Sequence, residues 1–208
     1  MSENDIFRGR KKGRYISSEQ SAKGSSDTIS FFKELITLLS GALLVFAFLI
    51  RIVVVSGPSM NATLLDGDYI ILLSNTFYKS PKAGDVIVAS KRSFDNGEPI
   101  IKRVIATEGQ RVDIDFENGI VYVDGNALTE PYINAPTNLY EGVSFPLTVE
   151  DGCLFVMGDN RNKSKDSRSP DIGLIDRREV IGKALFLVFP GKENAESSRD
   201  FARIGGIN

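Results

Sequence analysis

Residues 53–68 read VVVSGPSMNATLLDGD. An apolar run ends at Val55, a Ser-Gly-Pro turn follows, and Ser59-Met60 lead through a second apolar step to Asp66-Gly67. Such turn chemistry sets Ser59 at the edge of a regular element, where a side chain can reach a cleft. Taken alone the signal is weak, because most serines beside Gly-Pro only form turns. The stretch also divides the chain: upstream it is apolar without a polar face, downstream the apolar residues recur at a period of two.

Upstream, Leu35 to Ile50 carries no charge. At about 1.5 Å per residue it spans roughly 24 Å, short of the ~30 Å hydrocarbon core. Extended to Phe31–Val55 it is long enough, with Lys33, Glu34 and Arg51 near its ends, where long side chains snorkel. A buried helix and a cleaved signal peptide ending near Val54-Val55-Ser56 are the competing readings. The missing polar face argues against the first, and the long polar segment before the run argues against the second. Arg8, Arg10, Lys11, Lys12, Arg14, Lys23 and Lys33 precede the run, and Arg51 alone lies just after its charge-free part. That bias places the N-terminus in the cytoplasm and everything after Val55 on the outer face of the cell membrane. Residues 1–30 are expected to be a basic, disordered tail, residues 31–55 a membrane helix, and residues 56–190 an outer domain. Residues 191–208 are polar and glycine-containing, and are expected to form a loose tail.

Downstream, Tyr69 to Leu73, Asp85 to Ala89, Leu154 to Met157 and Ala184 to Phe189 read as strands. Val112, Ile114 and Phe116 alternate with Asp113, Asp115 and Glu117, the pattern of a strand with one wet face. Asn118-Gly119 is a hairpin signal, with Ile120 to Val123 as the return strand. Residues 130–150 read as an irregular excursion. No long amphipathic helix is evident after residue 56. The outer domain is therefore expected to be mostly β, a coiled antiparallel sheet or partial barrel.

Composition excludes much. The 208 residues carry a net charge of −2, which gives no bulk field for nucleic acid. A single cysteine, Cys153, forbids an internal disulfide and reads as a small buried residue. There are no histidines, which rules out a Ser-His-Asp triad, a Cys-His pair and histidine-ligated zinc. No metal and no cofactor is expected. Ser30-Phe31-Phe32-Lys33 spells S-x-x-K, but lacks the companion Ser-Asp-Asn and Lys-Thr-Gly segments.

A serine nucleophile here needs a base other than histidine. Lysine serves only when neutral, and burial among apolar groups lowers its pKa by disfavouring the charge. Lys102 fits, within Ile100-Ile101-Lys102-Arg103-Val104-Ile105; Lys183, within Val180 to Val188, is the other lysine in an apolar stretch. A charged pair on an edge strand is the plainer account of Lys102-Arg103. Residues 157–168, MGDNRNKSKDSR, read by default as a solvated loop. A loop this polar can also supply the hydrogen bonds that fix catalytic rotamers.

Together these stretches resemble the type I signal peptidases, the membrane-bound Ser-Lys proteases that remove signal peptides from exported proteins. The resemblance runs from the apolar run to about Pro190. It rests on Ser-Met-x-x-Thr-Leu at 59, Gly-Asp-hydrophobic at 84, Lys-Arg-Val-x-Ala at 102, Gly-Asp-Asn to Asp-Ser-Arg at 158, and Gly-Leu-Ile with Ile-Gly-Lys-Ala between 173 and 184. It implies that Ser59 is the nucleophile, that Lys102 is the general base, and that Ser164 hydrogen-bonds and orients the lysine. Asp166 and Arg168 would pair to hold their loop. Val55, Ser56, Leu64, Ile100 and Ile101 would border shallow pockets for an Ala-x-Ala cleavage site, with the signal peptide bound as an added strand. The lipid bilayer is the other implied partner. Some family members carry a serine hydroxyl two positions before the nucleophile, where this chain has Gly57, so the second oxyanion donor is unassigned.

Two alternatives stand beside this reading. A self-cleaving Ser-Lys regulator of the SOS-repressor type would need a DNA-binding head, which a basic tail and an apolar span do not supply. A catalytically silent, membrane-anchored β domain that binds outer partners is the other.

Overall fold

The computed structural model describes residues 16–194 and 196–207. The chain divides into two units, Met1–Ala47 and Phe48–Asn208.

The described residues of the first unit all lie in one helix, α1 (Ile16–Leu49). Its window Thr28–Phe46 is long and apolar enough to cross a membrane, and none of that window is buried. Nineteen residues at about 1.5 Å each come to roughly 28 Å, close to the hydrocarbon thickness. Ile36, Leu38, Leu43 and Phe48 all stand exposed. Two boundaries differ from the sequence expectation. The helix already begins at Ile16, so residues 16–30 are helical; a long apolar segment nucleates helix that then extends into weaker flanking sequence. The expected disorder of residues 1–15 lies outside the described residues. At the other end the helix stops at Leu49, and Ile50–Val54 forms strand β1 rather than the end of a span. Ile50, Ile52, Val53 and Val54 are β-branched and favour a pleated backbone.

The second unit is two antiparallel sheets. In chain order the strands are β1 (Ile50–Val54), β2 (Tyr69–Ser74), β3 (Val86–Ser90), β4 (Pro99–Thr107), β5 (Arg111–Asp115), β6 (Ile120–Val123), β7 (Asn126–Ala127), β8 (Leu147–Thr148), β9 (Cys153–Met157), β10 (Ile175–Asp176), β11 (Val180–Phe189) and β12 (Gly205–Gly206). The large sheet runs β1-β2-β11-β3-β4-β9-β10 and stays open, with β1 and β10 at its edges. The small sheet runs β7-β6-β5-β8. The β5–β6 hairpin turns at Asn118-Gly119, where Gly119 has φ +71°; a Cβ there would lie 2.3 Å from Pro136 Cβ.

β11 borders β2 along most of its length. On its other side β3 covers the first half and β12 the second. The described part of the C-terminal segment thus holds regular structure, against the expectation of a loose tail. Ile207 N donates to Leu185 O at 3.0 Å, and its side chain packs on the core. The cause is an open β11 edge beyond β3, whose main-chain groups need partners.

The core cluster that matters for the site contains Val55, Met60, Leu64, Ile70, Leu72 and Ile101. Each fully buried aliphatic side chain contributes about 1.5–3 kcal/mol. That packing fixes the loop between β1 and β2 against β4.

Candidate active site

The β1–β2 loop holds Ser59. Its base is closed by Val55 N donating to Asp68 O at 2.8 Å and Gly67 N donating to Val55 O at 2.9 Å. Gly57 has φ +84°, turning the chain at a cost a side chain would raise, and its N–H donates to Asp66 Oδ1 at 2.9 Å. Met60 and Leu64 are buried anchors, and Leu64 N donates to Met60 O to make one helical turn. Ser59 is thereby held half-buried at the rim of the loop. Its N–H has no hydrogen-bond partner among the described residues.

β4 supplies the facing lysine. Lys102 is 5 % exposed, and its Nζ donates to Ser59 Oγ at 2.9 Å and to Ile101 O at 3.0 Å. Burial pulls its pKa down to about 8. Asp166 and Glu141 act in the opposite direction, Arg168 assists the depression, and Asp159 opposes it. A depressed amine within hydrogen-bond reach of a hydroxyl can accept the hydroxyl proton once neutral. The other lysine in an apolar stretch lies elsewhere in the bonding scheme. Lys183 donates to Asp85 Oδ1 at 2.5 Å, and Asp85 also accepts from Tyr78 Oη. Burial raises the Asp85 pKa, but the bonds from Lys183 and Tyr78 outweigh it and hold the carboxylate below its ordinary range.

The loop after β9 packs directly on Ser59. Asn160 N donates to Ser59 O at 3.0 Å, and Asn160 Nδ2 donates to Pro58 O at 3.0 Å. Gly158 makes this approach possible: a Cβ on it would lie 2.1 Å from Ser164 Oγ and 2.5 Å from Ser59 O. Asp159 is fully buried and accepts two bonds from Arg103 and one from Thr63 Oγ1. Asp166 receives Gly158 N at 2.9 Å and pairs with Arg168, which also donates to Arg161 O at 2.7 Å. Arg161 in turn pairs with Glu130, tying the excursion 130–150 to this loop.

The orienting bond expected from Ser164 is not made. Ser164 is 4 % exposed and its Oγ has no hydrogen-bond partner among the described residues. Lys102 Nζ is directed instead to Ser59 Oγ and Ile101 O, and Ser164 Oγ lies over the bare Cα of Gly158. The residues implied as pocket borders are spread over different surroundings. Val55, Leu64 and Ile101 share the cluster beneath the loop, whereas Ile100 packs on a second cluster with Ile87 and Val104. Ser56 is exposed and lines a depression of about 440 Å³ with Gly57, Pro58 and Asn61. Cys153 is half-buried and free. Among the described residues no three His, Cys, Asp or Glu side chains group as metal ligands would.

Sequence reasoning missed Thr63, Asp68 and Arg203. Thr63 stands in the quoted Ser-Met-x-x-Thr-Leu run, so its position was in view but its partner, Asp159, was not. Nothing in the spacing connects Asp68 with Arg203, 135 residues apart.

A serine bonded to a buried lysine of depressed pKa, on an open antiparallel sheet, is the chemical layout of a serine hydrolase with an amine base. The family model "Signal peptidase, peptidase S26" matches residues 28–189. The probable signal peptidase I-1 of Synechocystis sp. is 40% identical over 173 residues, covering 77% of this chain and 84% of that protein. Signal peptidase I of Bacillus licheniformis is 32% identical over 186 residues, covering 86% and 97%. A crystal structure of a signal peptidase I from Enterococcus faecalis is 31% identical and covers 50% of this chain and 97% of its own, with a TM-score of 0.42. The chain belongs to the type I signal peptidase family, a family of serine endopeptidases.

Proposed function

We propose that the chain is a membrane-anchored endopeptidase that removes signal peptides from exported preproteins, cleaving after an Ala-x-Ala-type site. Ser59 attacks the scissile carbonyl. Neutral Lys102 accepts the Ser59 hydroxyl proton, reversing the direction of the bond it makes when charged. The C–N bond breaks as the protonated amine delivers that proton to the leaving nitrogen, and an acyl-enzyme on Ser59 remains. Lys102 then takes a proton from water, which attacks the ester; as the acyl–oxygen bond breaks the ammonium returns that proton to Ser59 Oγ, freeing the signal peptide and restoring the hydroxyl and the neutral amine. Ser59 N–H, free of other partners among the described residues, donates to the developing oxyanion. Asp166 and Arg168 hold the loop that packs on Ser59. Val55, Ser56, Leu64, Ile100 and Ile101 border the path of the small residues before the cut. Thr28–Phe46 anchors the chain in the cytoplasmic membrane, N-terminus inside and the sheets outside.

The observation that carries this reading is the 2.9 Å contact between Lys102 Nζ and Ser59 Oγ in a site where the lysine is buried. The test is cleavage of a preprotein in detergent by the native chain and by Ser59→Ala. Release of the mature chain by the native protein alone is expected; equal cleavage by both removes Ser59 from the chemistry, and none by either favours a silent β domain. For orientation, a cysteine placed at Ser197 should react with an impermeant thiol reagent on intact cells. Reaction only after the cytoplasm is opened would invert the topology.

A further inference from the structure

We infer that the C-terminal segment, residues 191–194 and 196–207, positions the nucleophile loop, and that Arg203 is the residue through which it does so. The inference rests on the Ser59–Lys102 reading above.

Asp68 ends the loop that carries Ser59 and is fully buried. Four donors converge on its carboxylate. Arg203 Nη1 reaches Oδ1 at 2.9 Å and Arg203 Nη2 reaches Oδ2 at 2.7 Å. Gly191 N reaches Oδ1 at 2.6 Å, and Leu65 N reaches Oδ2 at 2.8 Å. Arg203 Nη2 also approaches Thr63 O, at 3.4 Å, inside the same loop. From Thr63 the bonds continue inward. Its hydroxyl donates to Asp159 Oδ2 at 2.5 Å, Asp159 holds Arg103, and Arg103 is the chain neighbour of Lys102. Asn160, next to Asp159, holds the Ser59 carbonyl. Arg203 therefore stands at the outer end of a continuous run of bonds that finishes on the flanks of both reacting residues.

The segment is seated closely as well. A Cβ at Gly191 would lie 2.1 Å from Asp66 O and 2.9 Å from Asp68 N, so only glycine lets this backbone rest on the loop. Attachment of the segment does not depend on Arg203. Gly205 and Gly206 pair with β11, Ile207 N bonds Leu185 O, and Arg199 Nη1 donates to Pro190 O at 2.6 Å. What Arg203 alone adds is the two-pronged hold on the Ser59 loop. A planar guanidinium is the side chain that grips a carboxylate with two parallel bonds and still reaches a carbonyl. A misplacement of about 1 Å between reacting groups costs on the order of 100-fold in rate, so a loosened loop shows in turnover before binding.

The experiment uses the full chain in detergent with an Ala-x-Ala peptide, comparing Arg203→Ala, Arg203→Lys, Arg199→Ala and Ser59→Ala, with folding followed by circular dichroism. Arg203→Ala should lose about 10- to 100-fold in kcat with KM held within about twofold. Arg203→Lys, which keeps the charge, should recover part of that loss. Arg199→Ala should turn over like the parent, because it ties the segment to Pro190 and not to the loop. Equal losses in the Arg199 and Arg203 variants, a loss carried by KM, or full kcat in Arg203→Lys would reduce the segment to a stabilising strap and overturn the inference. Should Arg203→Ala not fold, the lysine variant decides alone: an unchanged kcat overturns the role and a lowered kcat at constant KM supports it. Activity in Ser59→Ala would instead sink the nucleophile assignment itself, and the positioning role with it.

Discussion

Arg103 and Asp159 form a two-pronged ion pair, Nε to Oδ1 at 2.8 Å and Nη2 to Oδ2 at 2.7 Å, where neither side chain meets solvent. Arg103 adjoins Lys102 on β4, and Asp159 adjoins Asn160, which holds the Ser59 carbonyl. The pair thus joins the strand that carries Lys102 to the loop that bonds the Ser59 carbonyl. Removing one member leaves the other charged and unpaired in the interior, which costs about 3–5 kcal/mol. Asp159→Ala should therefore lose that much stability, whereas Thr63→Val, which removes one bond to the same carboxylate, should cost about 1–3 kcal/mol. Chemical denaturation in detergent measures both. Equal and small losses would mean that solvent reaches the pair.

On the proposed mechanism Ser59 and Lys102 act as a unit. Ser59→Ala and Lys102→Ala should each remove nearly all turnover, and the double variant should be little worse than either, because groups that share one step are strongly non-additive. Lys183→Ala should retain most activity, since its ammonium is committed to Asp85. Single-turnover assays on one peptide substrate decide this. A surviving Lys102→Ala alongside a dead Lys183→Ala would reassign the base.

The buried Lys102 amine, which the proposed mechanism uses neutral, is a burden on the fold. The native Lys102 pKa lies near 8, against about 10.4 in an unfolded chain. Below pH 8 both states are protonated and the full burial penalty of about 3 kcal/mol applies. Between the two values the unfolded chain binds more protons, so stability rises with pH. Above about 10.4 both are neutral and the penalty is gone. In a Ser59→Ala background that prevents self-digestion, Lys102→Met should stabilise the chain at pH 7 and do little at pH 10.5. A stability gain that is the same at both pH values would contradict a depressed lysine.

Much of this was legible in the residues. The period-two alternation of residues 112–116 and the Asn118-Gly119 turn marked β5 and β6 because a half-wet strand and a two-residue hairpin write themselves locally. Lys102 stood out because a charge inside an apolar run has to be accounted for. β1 was hidden because Ile50–Val54 continues the apolar run, and hydropathy does not separate the end of a span from an apolar strand. The C-terminal segment was misread for the opposite reason. Gly205 and Gly206 have no side chains to signal a strand, and their place depends on the unfilled edge of β11, far off in sequence. The Ser164 bond failed on geometry that composition cannot carry: Gly158 gives Ser164 a place to sit that does not bring its hydroxyl to Lys102.

The pH dependence of cleavage tests the base most directly. With no histidine in the chain, nothing in the site has an ordinary pKa near 7. The groups acting on Lys102 are Asp166, Glu141 and Asp159, which favour its charge, and Arg168, which opposes it; burial outweighs them and sets the value near 8. In the proposed mechanism the neutral amine is the active form, so kcat/KM should rise with pH along a single ascending limb whose midpoint lies near 8, reporting the free enzyme. Lys102→Arg should be inactive across the range, because a guanidinium keeps its proton at every pH that leaves the fold intact. Glu141→Gln removes a carboxylate that favours the charged lysine, so its midpoint should move below that of the parent. The measurement is a kcat/KM profile from pH 6 to 10.5 on a short Ala-x-Ala peptide, with folding checked at each point. A midpoint at about 10.4 would place the lysine in solvent. An upward move in Glu141→Gln would show that the carboxylate acts on the site through packing and not through its charge, and a working arginine variant would remove Lys102 from the proton transfer.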